Sequence, residues 1–530
     1  MKKVFVWCNI VIITITLLCS SSNIYAEDNI IQELRVGLRQ LYEEKESITV
    51  SNKVLNMGYV VQDEYISEQV FMSNDGFVFR AATFDYLISI NSFDTYDKAN
   101  ESVKSLKGQG YKAYVGNASK GIWKIYIEAQ NSDEARIFLS KLNGKDGLTY
   151  EKVADNGCRT IMELSAGECL VMENTYQYPQ FSSMSNDEDT NFIDLGDRQY
   201  RGRLEFGRYD ESGITAINIV PMNYYLYSVL ASEMSPSWPI EALKAQALAA
   251  RNYAVYYMQR DSKYPNKPYV VCDKTNSQAY KGCSVEHPNT IIAVNETANE
   301  LIYYQGEVIQ ATFFSTSGGH TENSENVWNG TVPFMKGVSD IYEMQPAKKP
   351  WIVERTSEEI KQRLANYSID IGDVTDVIPM GYTDSKRVID LKIVGTQGEH
   401  IINKETIRIW LGLYSRKFTL VKEDYSNKKM FNVMAAGSFV KVKNINNVYV
   451  ATGSNSSRKL SVNDEQLIVV SGHNIDSIPT IAGKKDTYIF VGQGYGHGVG
   501  MSQSGAKGMA LEGFTYDEIL KYYYKGVDIK

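Results

Sequence analysis

The amino-acid sequence predicts an α+β protein, and three observations support this class. Residues 33–83 contain short alternations of apolar and polar residues, broken by Asn, Gly and Asp, which are typical of a small β region. Residues 84–148 read as a strand, a helix, two strands and a second helix. An alanine-rich stretch after Pro239 has the composition of a long helix. With 530 residues, the chain is long enough for two or more domains.

The N-terminus has the layout of a secretory signal. Lys2 and Lys3 precede an apolar stretch from Val4 to Cys19, and small polar residues lead to Ala26. This stretch is short for a membrane span, so contact with a membrane is expected only if the segment is retained. We expect residues 1–26 to be a signal peptide and residues 27–83 to form the N-terminal β region of a secreted protein.

Charge and cysteine content narrow the classes of function. A formal net charge of -8, without a long basic run, argues against a nucleic-acid partner. Four cysteines remain after the signal segment, namely Cys158, Cys169, Cys272 and Cys283. Four cysteines in an exported chain of this length allow one or two local disulfides but do not make a disulfide framework.

The βαββα unit at residues 84–148 has a clear pattern. The strand DYLISINSF precedes the helix TYDKANESVKSLKGQG, the strands KAYVGN and IWKIYIEAQ, and the helix SDEARIFLSKLNG. From the residues alone it could be a structural module. Residues 149–199, which include the polar stretch SSMSNDEDTN, are expected to form a connecting β region and linker.

A long helix should begin near Pro239 and end near Tyr257, because proline suits the first turn of a helix. Lys244 and Arg251 are seven residues apart and therefore share one face of this helix. Two cations on one face are either solvated surface or binding groups.

Glu233 lies just before this helix, beside Met234 and Trp238. Apolar neighbours raise the pKa of a carboxyl group toward that of a general acid, whereas a nearby Lys or Arg lowers it. A solvent-exposed carboxylate favoured by the helix dipole is the alternative.

Glycine occupies every second position from Gly492 to Gly500, in GQGYGHGVG. The spacing matches neither the dinucleotide-binding fingerprint nor the phosphate-binding loop that ends in Gly-Lys-Ser/Thr. A period of two is strand spacing, so we predict an extended segment with one bare face, with a flexible loop as the alternative. Such a segment would let a ligand, or the backbone that bears Glu233, approach closely, and a helix should start at Ser502.

Three sequence blocks resemble the SpoIID/LytB family, known from the stage II sporulation protein D and its relatives. They are SEMSPSWPIEALKAQALAARNYA, FFSTSGGHTENSENVW and GYGHGVGMSQSGAKGMALEGFTYDEILKYYYKGVDI. The resemblance implies a catalytic region of mixed strands and helices at residues 200–530. It also implies a lytic transglycosylase that acts on peptidoglycan without stem peptides, with Glu233 as the catalytic glutamate and no cofactor.

The chemistry implied by this resemblance needs only one carboxyl group. The enzyme would cleave the bond between N-acetylmuramic acid and N-acetylglucosamine without water and form a 1,6-anhydro sugar. A hydrolase would usually need a second carboxylate.

The same blocks supply the candidate substrate-binding residues. These are Lys244, Arg251, Ser315, Ser317, His320, Tyr495, His497, Gln503 and Ser504. Gln503 and Ser504 would begin a helix whose exposed amides could hold an N-acetyl group. For His320 and His497, a structural hydrogen bond is the alternative to sugar binding or proton transfer. Weaker candidates are Tyr280, Trp328 and Lys507.

The segment CDKTNSQAYKGC departs from metal-binding relatives, which carry a His-Cys pair where Asn276 and Ser277 stand. Cys272, Cys283 and His287 do not make a standard tetrahedral zinc pattern, so we predict no metal. A disulfide between Cys272 and Cys283, or two free thiols, are the alternatives.

Residues 84–148 also resemble a SPOR domain, the small module that binds peptidoglycan glycan strands, through YLISINSFDTYDKANESVKSLKGQGYKAYV. The resemblances together imply a cell-wall location, glycan strands as the partner, and a cell-wall amidase as a further candidate partner. Two other functions compete with the enzyme. One is a noncatalytic enhancer of an N-acetylmuramoyl-L-alanine amidase, and the other is a structural protein of the spore or wall surface.

Overall fold

A computed structural model describes most of the chain after the predicted signal peptide. The described residues are 33–84, 86–142, 150–154, 156–184, 191–209, 213–260, 262–343, 350–422 and 486–530, together with six short strands between residues 431 and 479. The predicted signal peptide at residues 1–26 lies outside them, as does most of the polar stretch in the predicted linker. No helix in these ranges combines the length and the apolar character needed to cross a membrane.

The helices are α1 (Tyr96–Gly108), α2 (Ser132–Leu142), α3 (Met222–Glu233), α4 (Ile240–Gln259), α5 (Pro288–Glu296), α6 (Ser357–Ala365), α7 (Thr406–Leu411), α8 (Gln503–Leu511) and α9 (Tyr516–Tyr523). The strands up to residue 221 are β1 (Glu33–Gly37), β2 (Ser47–Val50), β3 (Val54–Val61), β4 (Glu64–Met72), β5 (Phe77–Ala81), β6 (Tyr86–Phe93), β7 (Ala113–Ser119), β8 (Ile122–Ala129), β9 (Tyr150–Val153), β10 (Thr160–Glu163), β11 (Cys169–Met172), β12 (Gln180–Ser182), β13 (Ile193–Asp194), β14 (Gln199–Tyr200), β15 (Arg203–Gly207) and β16 (Thr215–Pro221). The later strands are β17 (Val271–Cys272), β18 (Ile302–Tyr304), β19 (Glu307–Val308), β20 (Phe313–Phe314), β21 (Trp351–Thr356), β22 (Val374–Tyr382), β23 (Val388–Gly395), β24 (Glu399–Asn403), β25 (Phe418–Lys422), β26 (Phe431–Ala435), β27 (Ser438–Val442), β28 (Tyr449–Thr452), β29 (Ser456–Lys459), β30 (Gln466–Ser471), β31 (Asn474–Pro479), β32 (Thr487–Gly492), β33 (Met501–Ser502) and β34 (Asp528–Ile529). The predicted α+β class is confirmed.

A seven-stranded sheet, in the order β17-β1-β16-β15-β12-β3-β4, supports the helices around Glu233. Its strand β16 is buried on both faces. Ala216 and Val220 belong to the main core, whereas Ile217 and Ile219 pack into a smaller cluster with Tyr269. Because side chains alternate between the faces of a strand, one strand serves two clusters. Helix α3 follows this strand directly and packs back on it.

The predicted βαββα order is present as β6, α1, β7, β8 and α2, and β9 adds a further strand. Thr95 accepts a hydrogen bond from the backbone of Lys98, which caps the N-terminus of α1. The four strands stand in the order β7-β8-β6-β9 with antiparallel neighbours, the arrangement of a split βαβ unit. Beyond β7 the same sheet continues through β11, β10, β5 and β2. The unit is therefore joined to strands from both neighbouring regions.

The region from residue 350 to residue 422 has a hydrophobic core of its own. Its apolar side chains come from β21 to β25, α6, α7 and β32, and include Trp351, Leu391, Leu411 and Phe490. Strand β32 returns to pair with β21 and β25 before the chain enters the glycine run. We call this region the second core. The residues predicted as one catalytic region thus contribute to the main core, to smaller clusters and to this second core.

The glycine run does not form the predicted strand. Strand β32 ends at Gly492, and residues 493–500 are irregular. The following alternate glycines have positive φ angles of 76°, 104°, 89° and 83°, at Gly494, Gly496, Gly498 and Gly500. A left-handed residue at every second position gives the same period of two as a strand, so the spacing alone does not distinguish them. The helix predicted at Ser502 is confirmed, because Ser502 is the N-cap of α8.

The run makes a close backbone approach, and its neighbours are residues 312–317. A Cβ atom at Gly500 would lie 2.1 Å from the carbonyl oxygen of Thr312, and one at Gly494 would lie 2.9 Å from that of Ser317. Tyr495 and Thr316 exchange two backbone hydrogen bonds. The predicted close approach is therefore present, but the backbone that makes it is that of residues 312–317, where the prediction gave a ligand or the backbone that bears Glu233.

Replacing Gly500 by Ala should destabilise the fold more than the same change at Gly513. Gly513 also has a positive φ, of 93°, but no atom lies within 4 Å of its added Cβ. We expect Gly513→Ala to lower the free energy of unfolding by about 1 kcal/mol through backbone strain alone. The clash with Thr312 should bring the loss in Gly500→Ala to roughly 3 kcal/mol or more. Denaturant unfolding of both variants measures the difference, and equal losses would contradict the close approach.

Candidate active site

Glu233 is the last residue of α3, where the chain turns into the segment that contains Pro236 and Pro239. The helix ends because Met234 has an extended conformation, with φ of -129° and ψ of 147°. The backbone N–H of Ala279 donates a hydrogen bond of 2.9 Å to Oε1 of Glu233. As predicted, Glu233 precedes the long helix α4, but it also ends a helix of its own.

The N-terminus of α8 brings two predicted residues to Glu233. The side chain of Gln503 acts on the Glu233 carboxyl group as a hydrogen-bonding group that lowers its pKa. The backbone N–H of Ser504 donates to the carbonyl oxygen of Ser315 at 3.1 Å. Residues far apart in the sequence, namely Glu233, Ser315, Gln503 and Ser504, therefore meet at one place, and Ser315 is exposed there.

Burial raises the pKa of Glu233, and three weaker influences lower it. The lowering influences are the hydrogen bonds from Ala279 and Gln503 and the charge of Lys281. Among the described residues, none of the influences on the pKa of Glu233 is another acid. The negative end of the α3 dipole also lies at Glu233 and opposes its charged form. Both effects favour a protonated carboxyl group, which can donate a proton.

A buried glutamine stands behind Gln503. Gln246, on α4, is fully buried, and its Oε1 accepts a hydrogen bond of 3.4 Å from Nε2 of Gln503. In the described part of the chain, Nε2 of Gln246 and Oγ of Ser232 are buried polar atoms without a partner. Unpaired buried groups are costly, so a bound ligand or water that paired with them would be stabilised.

The polar turn after Ser315 is held from three sides. The carboxylate of Glu343 accepts hydrogen bonds from the backbone and the hydroxyl of Ser317, at 2.6 and 3.2 Å. Arg387, from the second core, donates to the carbonyl oxygens of Ser317 and His320, each at 3.0 Å. Lys417 donates to the carbonyl oxygen of Gly318. Ser317 is fully buried, so its side chain supports the turn and does not reach a substrate.

Charges buried beneath this turn are balanced by hydrogen bonds. Burial acts to raise the pKa of Glu322, but hydrogen bonds from Ser385, Thr383 and Asn326 outweigh it and lower the pKa. Burial and the neighbouring Arg387 lower the pKa of Lys417 to about 8. The second core therefore takes part in shaping the turn.

The two histidines of the predicted site make local contacts. Nδ1 of His497 accepts from the backbone N–H of Val499 at 3.0 Å, and its ring lies 5.5 Å from Phe314 and 5.2 Å from Trp328. Burial lowers the pKa of His497 to about 3, with Arg408 and Arg387 acting in the same direction. His497 is therefore neutral at physiological pH. His320 contacts the carbonyl oxygen of Thr321 through Nδ1 at 2.7 Å.

Lys244 and Arg251 share a face of α4 as predicted, and that face packs against α5. Lys244 forms an ion pair with Glu296, at the end of α5, at 2.8 Å. Arg251 is 1% exposed, and its guanidinium donates to the carbonyl oxygens of Val294, Thr297 and Glu300. The prediction that Arg251 binds substrate is therefore corrected, because its donors are used to cap α5.

The weaker candidates Tyr280, Lys507 and Trp328 have different surroundings. The hydroxyl of Tyr280 donates to Oδ1 of Asn218 at 2.6 Å inside the core. Lys507, on α8, lies 5.0 Å above the ring of Trp238, which flanks Glu233 in sequence. Trp328 is half-buried against His497.

All four cysteines after the signal segment are free thiols, so the alternative of a disulfide between Cys272 and Cys283 is not found. The thiol of Cys272 lies 3.1 Å from the hydroxyl of Tyr264 and 3.2 Å from Oδ1 of Asn276. Burial raises the pKa of Cys283 to about 11. No group of three or more His, Cys, Asp or Glu side chains within the described ranges is arranged to hold a metal ion.

Gln246, Ala279 and Lys281 also belong to the site but were not among the residues predicted from the sequence. A lone Gln inside the apolar alanine-rich helix is a signal that could have identified the first. Ala279 acts through its backbone N–H, and Lys281 acts through space, so neither leaves a pattern in the sequence.

Two family models match the chain. One, described as a stage II sporulation protein, matches residues 210–304, which include Glu233. The other, described as a domain of unknown function (DUF8618), matches residues 334–439 and so includes the described part of the second core up to residue 422.

Several curated proteins are similar to the chain. An uncharacterized protein of Brachyspira hyodysenteriae is 32% identical over 333 residues, which are 62% of this chain and 72% of that protein. The amidase enhancer of Bacillus subtilis is 30% identical over 445 residues, 82% of this chain but only 56% of the enhancer. Stage II sporulation protein D of Bacillus subtilis is 30% identical over 329 residues, 59% of this chain and 76% of that protein.

Removing the Arg251 guanidinium should destabilise the protein, whereas removing the Lys244 charge should have little effect. Arg251→Met leaves buried carbonyl groups at the end of α5 unpaired, so we expect a loss of about 3 kcal/mol in the free energy of unfolding. Lys244→Met breaks partly exposed ion pairs and should cost less than about 1 kcal/mol. Urea unfolding at neutral pH measures both. An Arg251→Met protein of unchanged stability would contradict the capping role.

Proposed function

Because this chain belongs to the stage II sporulation protein D family, we propose that it is a lytic transglycosylase with Glu233 as its acid and base. The substrate would be peptidoglycan glycan strands without stem peptides. The single observation that carries this proposal is the half-buried carboxyl group of Glu233 at the end of α3, which accepts a hydrogen bond from Ala279 and whose pKa is raised without the influence of a second acid among the described residues. We further propose that the protein is secreted and acts at the cell wall.

The proposed reaction uses Glu233 twice. The protonated carboxyl group gives its proton to the glycosidic oxygen as the bond from C1 of N-acetylmuramic acid to O4 of N-acetylglucosamine breaks. The resulting carboxylate takes the proton of the muramic C6 hydroxyl, whose oxygen bonds to C1. No water is consumed, and the acid is regenerated. A raised pKa suits this cycle because the group must be protonated first and basic afterwards.

The hydrogen-bond donors around Glu233 have a role in the second step. Ala279 and Gln503 stabilise the carboxylate that forms after the first proton transfer. Because these donors limit the rise of the pKa, the carboxyl group is still able to give up its proton in the first step. The N-terminus of α8 is buried, and its Ser504 and Gly505 N–H groups donate to Ser315 and Ser502, so the exposed amides predicted to hold an N-acetyl group are not found there.

The split βαβ unit at residues 84–148 would bind the same polymer, as its resemblance to a SPOR domain implies. Tethering a weak glycan-binding unit to a cleavage site raises the effective concentration of substrate at that site. This proposal explains why a binding unit and Glu233 occur in one chain.

A second candidate function is a noncatalytic enhancer of a cell-wall amidase. The length of the aligned region favours this candidate. The alignment with the amidase enhancer covers 82% of this chain, whereas the alignment with stage II sporulation protein D covers 59%. The enhancer would bind wall or an amidase and would cut no glycosidic bond itself.

Purified protein incubated with peptide-free glycan strands should release 1,6-anhydromuramic ends, detected by mass spectrometry. Glu233→Gln keeps the shape of the side chain but removes the acid, so we expect activity to fall at least about 100-fold. The control is Glu512→Gln, an exposed residue directly after α8, which should retain full activity. Absence of product from the unmodified protein would favour the enhancer. Reducing ends without the anhydro ring would instead indicate hydrolysis.

Gln503→Leu should shift the pH dependence of cleavage to higher pH. This change removes a hydrogen bond that lowers the pKa of Glu233, so the pKa rises further. The acid must be protonated to act, and activity is lost as pH rises through its pKa. The basic limb of the pH profile should therefore move upward, whatever happens to the maximal rate. A downward shift would rule out the role given to Gln503.

A further inference from the structure

Two exposed tyrosine rings lie side by side near the start of the glycine run. Tyr414 is 48% exposed and Tyr495 is 37% exposed. Their ring centroids are 4.9 Å apart and their planes differ by 47°. Tyr495 belongs to the sequence blocks analysed above, whereas Tyr414 comes from the second core and was not among the predicted site residues. A tyrosine ring offers an apolar face and a hydroxyl at its edge.

The pair is held in place by buried groups. Trp351 is 4% exposed, and its ring centroid lies 5.7 Å from that of Tyr414 at an angle of 69°. Its indole N–H donates to the carbonyl oxygen of Gly494 at 2.9 Å. The backbone N–H of Gly496 donates to the carbonyl oxygen of Tyr414 at 2.8 Å. These contacts hold the backbone at both tyrosines and one side of the Tyr414 ring before any ligand arrives, which reduces the entropy lost on binding.

The pair is connected to Glu233 by a short path of backbone bonds. Tyr495 bonds to Thr316, the next residue back is Ser315, and Ser315 accepts from Ser504. Gln503, which hydrogen-bonds Glu233, precedes Ser504. Backbone spacings along this path add up to roughly 18 Å at most between Tyr495 and Gln503. The distance from Tyr495 to the Glu233 site is therefore short enough for one polymer chain to span.

The size and polarity of the pair favour a sugar ring over a protein partner. A stable protein interface buries roughly 800 Å² on each partner, far more than two partly exposed tyrosines provide. A pyranose presents a face of C–H groups to an aromatic ring and hydroxyls to its edge. A tyrosine side chain has no cationic form, so the pair offers no positive charge to an anionic ligand.

We propose that Tyr414 and Tyr495 form a sugar-stacking subsite that positions the glycan strand relative to Glu233. The inference rests on the proposed function, because its ligand is the same peptide-free glycan. It adds a specific binding role for the second core, which supplies one of the two rings.

The test measures glycan binding in protein that cannot cut. In the Glu233→Gln background, the affinity for peptide-free glycan oligomers is measured by calorimetry for the parent and for Tyr414→Ala, Tyr414→Phe and Tyr176→Ala. Tyr176 is 91% exposed and lies between β11 and β12, so it serves as the matched control. We expect Tyr414→Ala to weaken binding about tenfold. Tyr414→Phe keeps the stacking face and should bind within about twofold of the parent, as should Tyr176→Ala.

The outcomes distinguish failure of the inference from failure of the proposed function. If the parent binds glycan but Tyr414→Ala binds equally well, the subsite is wrong and the proposed function is untouched. Equal weakening in the Ala and Phe variants would also contradict stacking. If no variant binds glycan, both proposals fail. Thermal unfolding of each variant excludes a loss of binding through misfolding. In protein with Glu233 intact, Tyr414→Ala should raise KM and leave kcat within about twofold.

Discussion

The rest of the site depends on how tightly the alternating glycines pass between two segments that are distant in sequence. On one side are residues 312–317, whose carbonyl groups lie where side chains of the run would otherwise stand. On the other side Gln493 bonds to Lys417, and the hydroxyl of Ser415 donates to Gln493 at 2.6 Å. A chain with Cβ atoms at the glycine positions could not follow this path. Because α8 begins directly after the run, its path also fixes where Gln503 meets Glu233.

The pKa of Glu233 results from effects that raise it and effects that lower it. Burial raises its pKa, and the end of α3 adds to this, whereas Ala279, Gln503 and Lys281 lower it. Burial without donors would leave a carboxyl group unable to ionise, and donors without burial would leave an ordinary anion. The same donors come from a loop and from α8. Packing of these elements therefore controls the proton affinity of the one carboxyl group that the proposed reaction needs.

Much of the fold could be predicted where local chemistry is decisive. Prolines and alanines placed α4 within about two residues of its observed ends, and amphipathic spacing identified α1 and α2. The strand prediction for the glycine run failed because alternate left-handed residues repeat with the period of a strand. For Arg251 the shared face with Lys244 was correct, but α5, which covers that face, was not foreseen. The site beyond Glu233 depends on such tertiary contacts, including the backbone of Ala279.

The second core is part of the site and cannot be treated as a separate attachment. Arg387 is fully buried, and burial lowers its pKa to about 10, yet it donates to the carbonyl groups of Ser317 and His320. Pulling the second core away would leave that charge and those carbonyl groups without their partners, at a cost of several kcal/mol, on the order of that for a broken buried ion pair. The polar turn therefore has its observed shape only while the second core is docked. Tyr414 is presented beside Tyr495 by the same docking, so one interface controls both the turn and the aromatic pair.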